Sequence, residues 1–298
     1  MSDPTLQIDV AKWVERAKDD PVAYRQRQTV EITLNAIAMT TPLNAKMVLK
    51  GGILMGLAYD SPRLTTDIDL TTDLSAVSNA GETIQTSLDS ALPRAAAVLG
   101  YTDLVVKTHS VKEQPRKVAF ENAEFPALKL KIAYAQRGTP QETALRQDKA
   151  PEVIDVDISF NEPVTQIQVL ELTGGQELRA YGLVELIAEK YRAMLQQIRR
   201  RRNRRQDVYD LDRLIEGSEI DDACREQILD AFITKCRSRH LEPTCASLDD
   251  PEIKKRSGAD WQTMGLELGE VPDFEGCFAR VSKFYRNLPW EGREAFSP

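Results

Sequence analysis

The sequence predicts an α/β protein, a small mixed β-sheet followed by a helical C-terminal region, with one domain over residues 1–175 and a second over 176–298. Three observations carry this expectation. Over Ala127–Tyr134 and Val153–Phe160, apolar residues alternate with charged ones, the two-residue period of half-buried strands. Leu49–Leu70 reads as strand, tight turn, short helix, strand, with Gly51-Gly52 at the turn. From Tyr181 the period lengthens to that of a helix, and Leu183, Leu186, Ile187, Tyr191, Met194 and Ile198 fall on one arc.

With 298 residues, 42% of them hydrophobic, the chain can bury a sizeable core. A net charge of −7 argues against a wholly basic nucleic-acid coat, so a polyanion would have to dock on a local patch. One such patch exists, Arg199–Arg205, with six arginines in seven positions. Cys224, Cys236, Cys245 and Cys277 lack Cys-x-x-Cys spacing, and only His109 and His240 could join them, so reduced structural thiols are expected rather than a zinc site. Met-Ser-Asp-Pro-Thr carries no charged-then-apolar signal and no apolar run approaches a membrane span, so we expect a cytoplasmic protein without membrane contact.

In chain order, residues 9–40 should be helical, with Asp20 capping, Pro21 at the first helical position, and Val30, Leu34 and Ile37 at helical spacing. Strand Lys46–Lys50, helix Ile53–Tyr59 and strand Asp67–Thr71 follow. Glu82–Leu99 has Leu88, Leu92, Ala95 and Leu99 on one face and Gly100 as its stop, and Pro93 should kink or split it. Segments 102–107 and 116–120 alternate weakly and are expected to be strands. Gly174-Gly175 marks a turn. Leu229, Phe232, Ile233 and Cys236 lie on one face of a later helix, and another helix is expected near 273–287.

The polar positions on these strands carry the chemistry. In Asp67-Ile68-Asp69-Leu70 the strand period puts both carboxylates on one face. Two aligned carboxylates repel unless one is protonated or a cation lies between them, and hard oxygen donors at this spacing suit Mg²⁺. Gly51-Gly52, between a strand and a helix, lets backbone approach a ligand closely and aims helix N–H groups at phosphate. Lys129 and Lys131 share one strand face, as do Asp155 and Asp157. Should these strands adjoin Asp67–Asp69, the open face becomes a floor of mixed charge. Lys190 falls inside the apolar arc of its helix and must find an anion there. Asp207, Asp210 and Leu214 line one side of the helix that follows the arginine run.

Gly51-Gly52 with Tyr59, Arg63 and Asp67-Ile-Asp69 resembles the signature of the nucleotidyltransferase superfamily. The longer form, Leu-Lys-Gly-Gly with Pro62-Arg63-x-Thr-x-Asp-x-Asp, is similar to the AbiEii/AbiGii-type toxin nucleotidyltransferases. Ala188-Glu189-Lys190-Tyr191-Arg192-Ala193 resembles that family's Glu-Lys-x-x-Ala element. The arginine run with Asp207-x-x-Asp210-Leu211 resembles its Arg-x-(Lys)-Asp-x-x-Asp-Leu element, with Gln206 where a lysine is common.

The resemblance covers about residues 46–216 and implies a nucleotidyltransferase core whose cleft is closed by the C-terminal helical domain. It also implies a third metal-binding carboxylate, for which Asp157 is preferred over Asp155. On this reading Asp67, Asp69 and Asp157 hold Mg²⁺ or Mn²⁺, and an NTP lies over Gly51 and Gly52. Arg63, Lys129, Lys131 and Lys190 attend its phosphates. Asp207 or Asp210 orients the acceptor or holds Lys190. A tRNA 3′-end is the implied acceptor, met by Arg199, Arg200, Arg201, Arg202, Arg204 and Arg205, and a cognate antitoxin is the implied partner. Two other functions fit the same residues: nucleotidyl transfer to a protein hydroxyl, and a non-catalytic RNA-binding module on this fold.

Overall fold

Strands β1 (Thr5–Gln7), β2 (Met47–Lys50), β3 (Ile68–Thr72), β4 (Leu104–Gln114), β5 (Ala127–Gln136), β6 (Val153–Phe160), β7 (Ile167–Glu171) and β8 (Glu177–Tyr181) form one mixed sheet in the computed structural model, which describes residues 5–116, 118–150 and 152–293. Among the described residues the order across the sheet is β1-β7-β8-β2-β3-β6-β5-β4. β3 runs parallel to β6 and antiparallel to β2, and β5 is antiparallel to both β4 and β6. The helices before the end of the sheet are α1 (Val10–Glu15), α2 (Pro21–Ala38), α3 (Leu43–Lys46), α4 (Gly51–Ala58), α5 (Ala80–Val98), α6 (Val118–Glu121) and α7 (Pro140–Arg146). Those after it are α8 (Leu183–Arg200), α9 (Arg205–Gly217), α10 (Asp222–Ser238), α11 (Pro251–Gly258), α12 (Gly265–Leu268) and α13 (Phe274–Arg286).

The chain divides into two compact units, neither continuous in sequence. The first comprises residues 1–58, 65–162 and 167–180; the second comprises 59–64, 163–166 and 181–298. In the first unit, β6 has the alternation its sequence demands: Ile154, Val156, Ile158 and Phe160 are buried, and the residues between them are partly exposed. Asp20 caps α2 as expected, its carboxylate accepting from the N–H groups of Val22 at 2.9 Å and Ala23 at 3.1 Å. From Gln28 to Ala38 that helix is buried all round, which marks it as a central helix rather than a half-wet one.

Several expectations need correction. Residues 9–40 are two helices, because Asp20 begins a fresh N-terminus instead of continuing α1. α5 is not split at Pro93: Ile84, Leu88, Ala91, Leu92, Ala95 and Ala96 are buried along one stripe, and that packing outweighs the backbone hydrogen bond proline removes. Segment 116–120 is not a strand; residue 117 lies outside the described residues, and Val118–Glu121 is a helical turn that buries Phe120 edge-on against Phe160, centroids 5.5 Å apart. The strand expected at 102–107 extends to Gln114. β1, β7 and β8 were not foreseen. The Gly174-Gly175 turn joins β7 to β8, with both glycines at positive φ, 94° and 78°.

In the second unit, α8 packs on α9, α10 and α11. An aromatic cluster of Tyr191, Phe232, Tyr285 and Trp290 fills its core, with ring centroids 5.1 to 6.2 Å apart. Beside it, the buried pair Lys235–Glu185, 2.6 Å, holds Pro163–Gln166 to the helices. Lys235 Nζ donates to Pro163 O at 2.9 Å, and Glu185 Oε1 accepts from Gln166 N at 3.1 Å. Among the described residues no helix is long and apolar enough to cross a membrane.

Candidate active site

The glycine turn and the acidic strand meet at one point. Gly51 has φ +74°, a conformation that side chains resist. A Cβ there would lie 2.1 Å from Asp69 Oδ2, so glycine is required both by the turn and by the carboxylate pressed against it. α4 begins at Gly51, two residues earlier than expected, so the N–H groups of its first turn open next to Asp69.

Strand register lines up a row of charges. Lys50 is opposite Asp69, Asp69 opposite Asp157, Asp157 opposite Lys129, and Lys129 opposite Lys112. Residues in register point to the same face, so five adjacent strands present one lysine, then two aspartates, then two lysines along one line. Lys129 Nζ donates to Asp157 Oδ2 at 3.0 Å and Lys131 Nζ to Asp155 Oδ1 at 2.8 Å. Both pairs are largely exposed, and such pairs contribute about 0–1 kcal/mol each. Lys50, nearly buried, reaches Ser159 Oγ at 3.3 Å and pairs with Glu162. The mixed-charge floor expected from the alternation is therefore present.

Asp67 lies just before β3. Desolvation, then the negative charges of Asp155 and Asp157, push its carboxyl above the usual range, and Lys129 and Lys131 only partly offset them. Negative charge is thus concentrated where a cation would relieve it, and every donor is a hard carboxylate oxygen. Asp67 and Asp69 fit Mg²⁺ or Mn²⁺ in donor type, and Asp157, in register with Asp69, could join them on leaving Lys129. Among the described residues no three His, Cys, Asp or Glu side chains are gathered as a ready-made cage.

The second unit holds a separate, drier network. Lys190 Nζ donates to Asp210 Oδ2 at 2.6 Å and to Asp207 Oδ1 at 3.5 Å. Arg63 Nε and Nη2 donate to the two oxygens of Asp210 at 3.4 and 3.3 Å, and its Nη1 donates to Glu267 Oε2 at 3.3 Å. Asp207 is shared with Arg204, 3.4 Å away. The side chains of Asp210, Lys190 and Arg63 are 1%, 7% and 8% exposed, so these charges act with little screening. Burial alone would raise the Asp210 carboxyl, but Lys190 and Arg63 outweigh it and hold it below the ordinary range. Burial likewise opposes the charge on Lys190, yet Asp210 and Asp207 raise it above the ordinary lysine range.

The arginine run spans the end of one helix and the start of the next. α8 ends at Arg200, Arg201 caps it in the left-handed conformation, and α9 starts at Arg205. Arg199 to Arg202 are exposed. Desolvation and then the neighbouring guanidiniums of Arg192, Arg239, Arg204 and Arg202 lower the affinity of Arg200 for its proton, the mark of a dense positive field. Sequence reasoning assigned no role to Lys50, although it stands inside the Leu-Lys-Gly-Gly run, and it missed Glu267, for which no local signal exists.

A glycine turn pressed on an Asp-x-Asp strand of a mixed sheet, with a second acidic strand alongside, defines the class: a nucleotidyltransferase. The family model for the nucleotidyl transferase AbiEii toxin of type IV toxin–antitoxin systems matches residues 33–280, and the chain belongs to that family. It is accordingly a nucleotidyltransferase toxin of the type IV class, with an NTP as the substrate the family implies. No curated protein matches it.

Proposed function

We propose that this toxin moves an NMP from an NTP to the 3′-terminal hydroxyl of a tRNA. The observation that supports the reading is the close approach of Asp69 to Gly51, which puts the start of α4 beside a carboxylate row. The acceptor oxygen bonds to the α-phosphorus, the bond to pyrophosphate breaks, and the hydroxyl proton leaves to water. Gly51 and Gly52 bind the triphosphate through backbone N–H groups at the start of α4. Asp67 and Asp69, with Asp157, would hold a divalent ion, which when bound neutralises phosphate oxygens and makes the hydroxyl easier to ionise. Lys129, once Asp157 turns to the ion, and Lys131 attend the phosphates. The family resemblance assigns Arg63 and Lys190 to the phosphates, and within the second unit Asp207 and Asp210 fix the lysine in place.

Arg199, Arg200, Arg201, Arg202, Arg204 and Arg205 supply the local positive patch that an acidic chain needs to meet an RNA backbone. A cognate antitoxin is the protein partner we assign. The test is incubation with each α-labelled NTP, Mg²⁺ and total tRNA, read on a denaturing gel. Label on tRNA supports the proposal. Label on protein transfers the activity to a protein hydroxyl, and no label with any NTP overturns it.

A further inference from the structure

Arg63 is held from two sides. Asp210 takes its Nε and Nη2 at 3.4 and 3.3 Å, and Glu267 takes Nη1 at 3.3 Å. All three contacts are long for charge-assisted hydrogen bonds, which settle at about 2.7–2.9 Å. Lys190, by contrast, sits on Asp210 Oδ2 at 2.6 Å. The same oxygen serves both cations, so Arg63 can approach Asp210 only at the expense of Lys190. Glu267 prevents that approach by drawing the guanidinium the other way.

Glu267 is itself fixed. Gln206 Nε2 donates to both of its oxygens, at 2.9 and 3.0 Å, and its backbone oxygen accepts from Leu64 N at 3.1 Å, next to Arg63 in the chain. The amide orients the carboxylate without neutralising it. A lysine at 206 would instead pair with Glu267 and withdraw it from Arg63. Charge counting points the same way: Arg63, Lys190 and Arg204 face Asp207, Asp210 and Glu267, and loss of Glu267 leaves one surplus cation among largely buried groups.

We propose that Glu267, oriented by Gln206, is a positioning residue for nucleotidyl transfer: it holds Arg63 midway between two carboxylates so that Asp210 remains committed to Lys190. The inference rests on the reading above in which Arg63 and Lys190 serve the NTP phosphates.

The experiment compares wild type, Glu267→Gln, Glu267→Asp, Gln206→Lys, Arg63→Gln and the Arg63→Gln/Glu267→Gln double variant, with Leu266→Ala, a change at an 86% exposed neighbour, as control. Glu267→Gln and Gln206→Lys should each raise KM for NTP about tenfold with kcat changed far less, and Glu267→Asp should recover part of the loss. The double variant should be no worse than Arg63→Gln alone, because Glu267 acts through Arg63. Additive losses in the double variant, or an unchanged KM in Glu267→Gln, overturn the proposal.

A readout independent of activity is urea unfolding between pH 8 and 11. Lys190 shares Asp210 in Glu267→Gln, so its contribution should fade at lower pH than in wild type, and this difference should vanish in a Lys190→Met background. If wild type and Glu267→Gln lose stability over the same pH range, the positioning role is overturned whatever the activity shows. If wild type labels no acceptor while the pH difference between it and Glu267→Gln is present, the proposed function is refuted and only the hold of Glu267 on Arg63 stands.

Discussion

The carboxylate of Asp69 occupies the space in front of Gly51, where an added Cβ would meet Oδ2 at 2.1 Å and the Asp69 Cβ and Cγ at 2.8 Å. The turn and the acid therefore constrain each other. Gly51→Ala must either move Asp69 or distort a backbone at φ +74°. It should lower nucleotidyl transfer by about 10²-fold, comparable to loss of a preorganised charge. Gly174→Ala is the matched control: φ is +94° and nothing lies within 4 Å, so it should cost about 1–2 kcal/mol of stability with activity retained. Equal activity in the two variants would refute the assignment of this turn.

Asp67 titrates above its ordinary value in the folded protein. A carboxyl raised on folding stabilises the fold only while protonated, so its contribution is lost as pH rises from the ordinary value through the folded one. Asp67→Asn should therefore melt at the same temperature as wild type or higher near neutral pH, while losing about 10²-fold or more in activity. Added Mg²⁺ or Mn²⁺ should raise the melting temperature of wild type and not of Asp67→Asn or Asp69→Asn. A metal-induced shift that survives in both variants would place the ion elsewhere.

The Lys190–Asp210 pair predicts a stability plateau with two edges. Asp210 is held below its ordinary value, so its contribution is complete above about pH 4 and is lost as pH falls through the folded value. Lys190 is held above its ordinary value, so its contribution is complete below about pH 10 and is lost at more alkaline pH. Lys190→Met leaves a buried carboxylate with only the longer contacts to Arg63 and should cost about 3 kcal/mol. Adding Asp210→Asn should recover much of that stability and none of the activity. Denaturant midpoints across the pH range measure both edges.

Replacing Arg200, Arg201 and Arg202 by Gln should weaken RNA binding and flatten its salt dependence, by up to ~0.9 log unit per lost phosphate contact on duplex and ~0.7 on single strand. NTP binding should barely change. Filter binding at two salt concentrations decides the matter: an unaltered salt slope would make the run a solvated loop.

Asp155 and Asp157 can be separated by substitution. Asp157 is the register partner of Asp69, so Asp157→Asn should lose more activity than Asp155→Asn, although Asp155 acts more strongly than Asp157 on the titration of Asp67. A larger loss at Asp155 would shift the third carboxylate by two positions along β6.

What the sequence determined alone is local in origin. The faces of β5 and β6, the Asp20 cap and the Gly51-Gly52 turn each follow from a period or a hydrogen bond spanning a few residues, and the spacings that resemble the AbiEii family were visible for the same reason. Tertiary structure alone decided the rest. Side-chain period says which face Asp157 occupies but not that β6 lies beside β3, so the row from Lys50 to Lys112 appears only when five strands are in register. Pro93 reads locally as a kink or a split, yet the buried stripe keeps α5 one continuous helix. Glu267 reaches Arg63 across 204 residues of sequence, and no periodicity extends that far; a buried guanidinium takes whichever carboxylate the packing of the chain delivers.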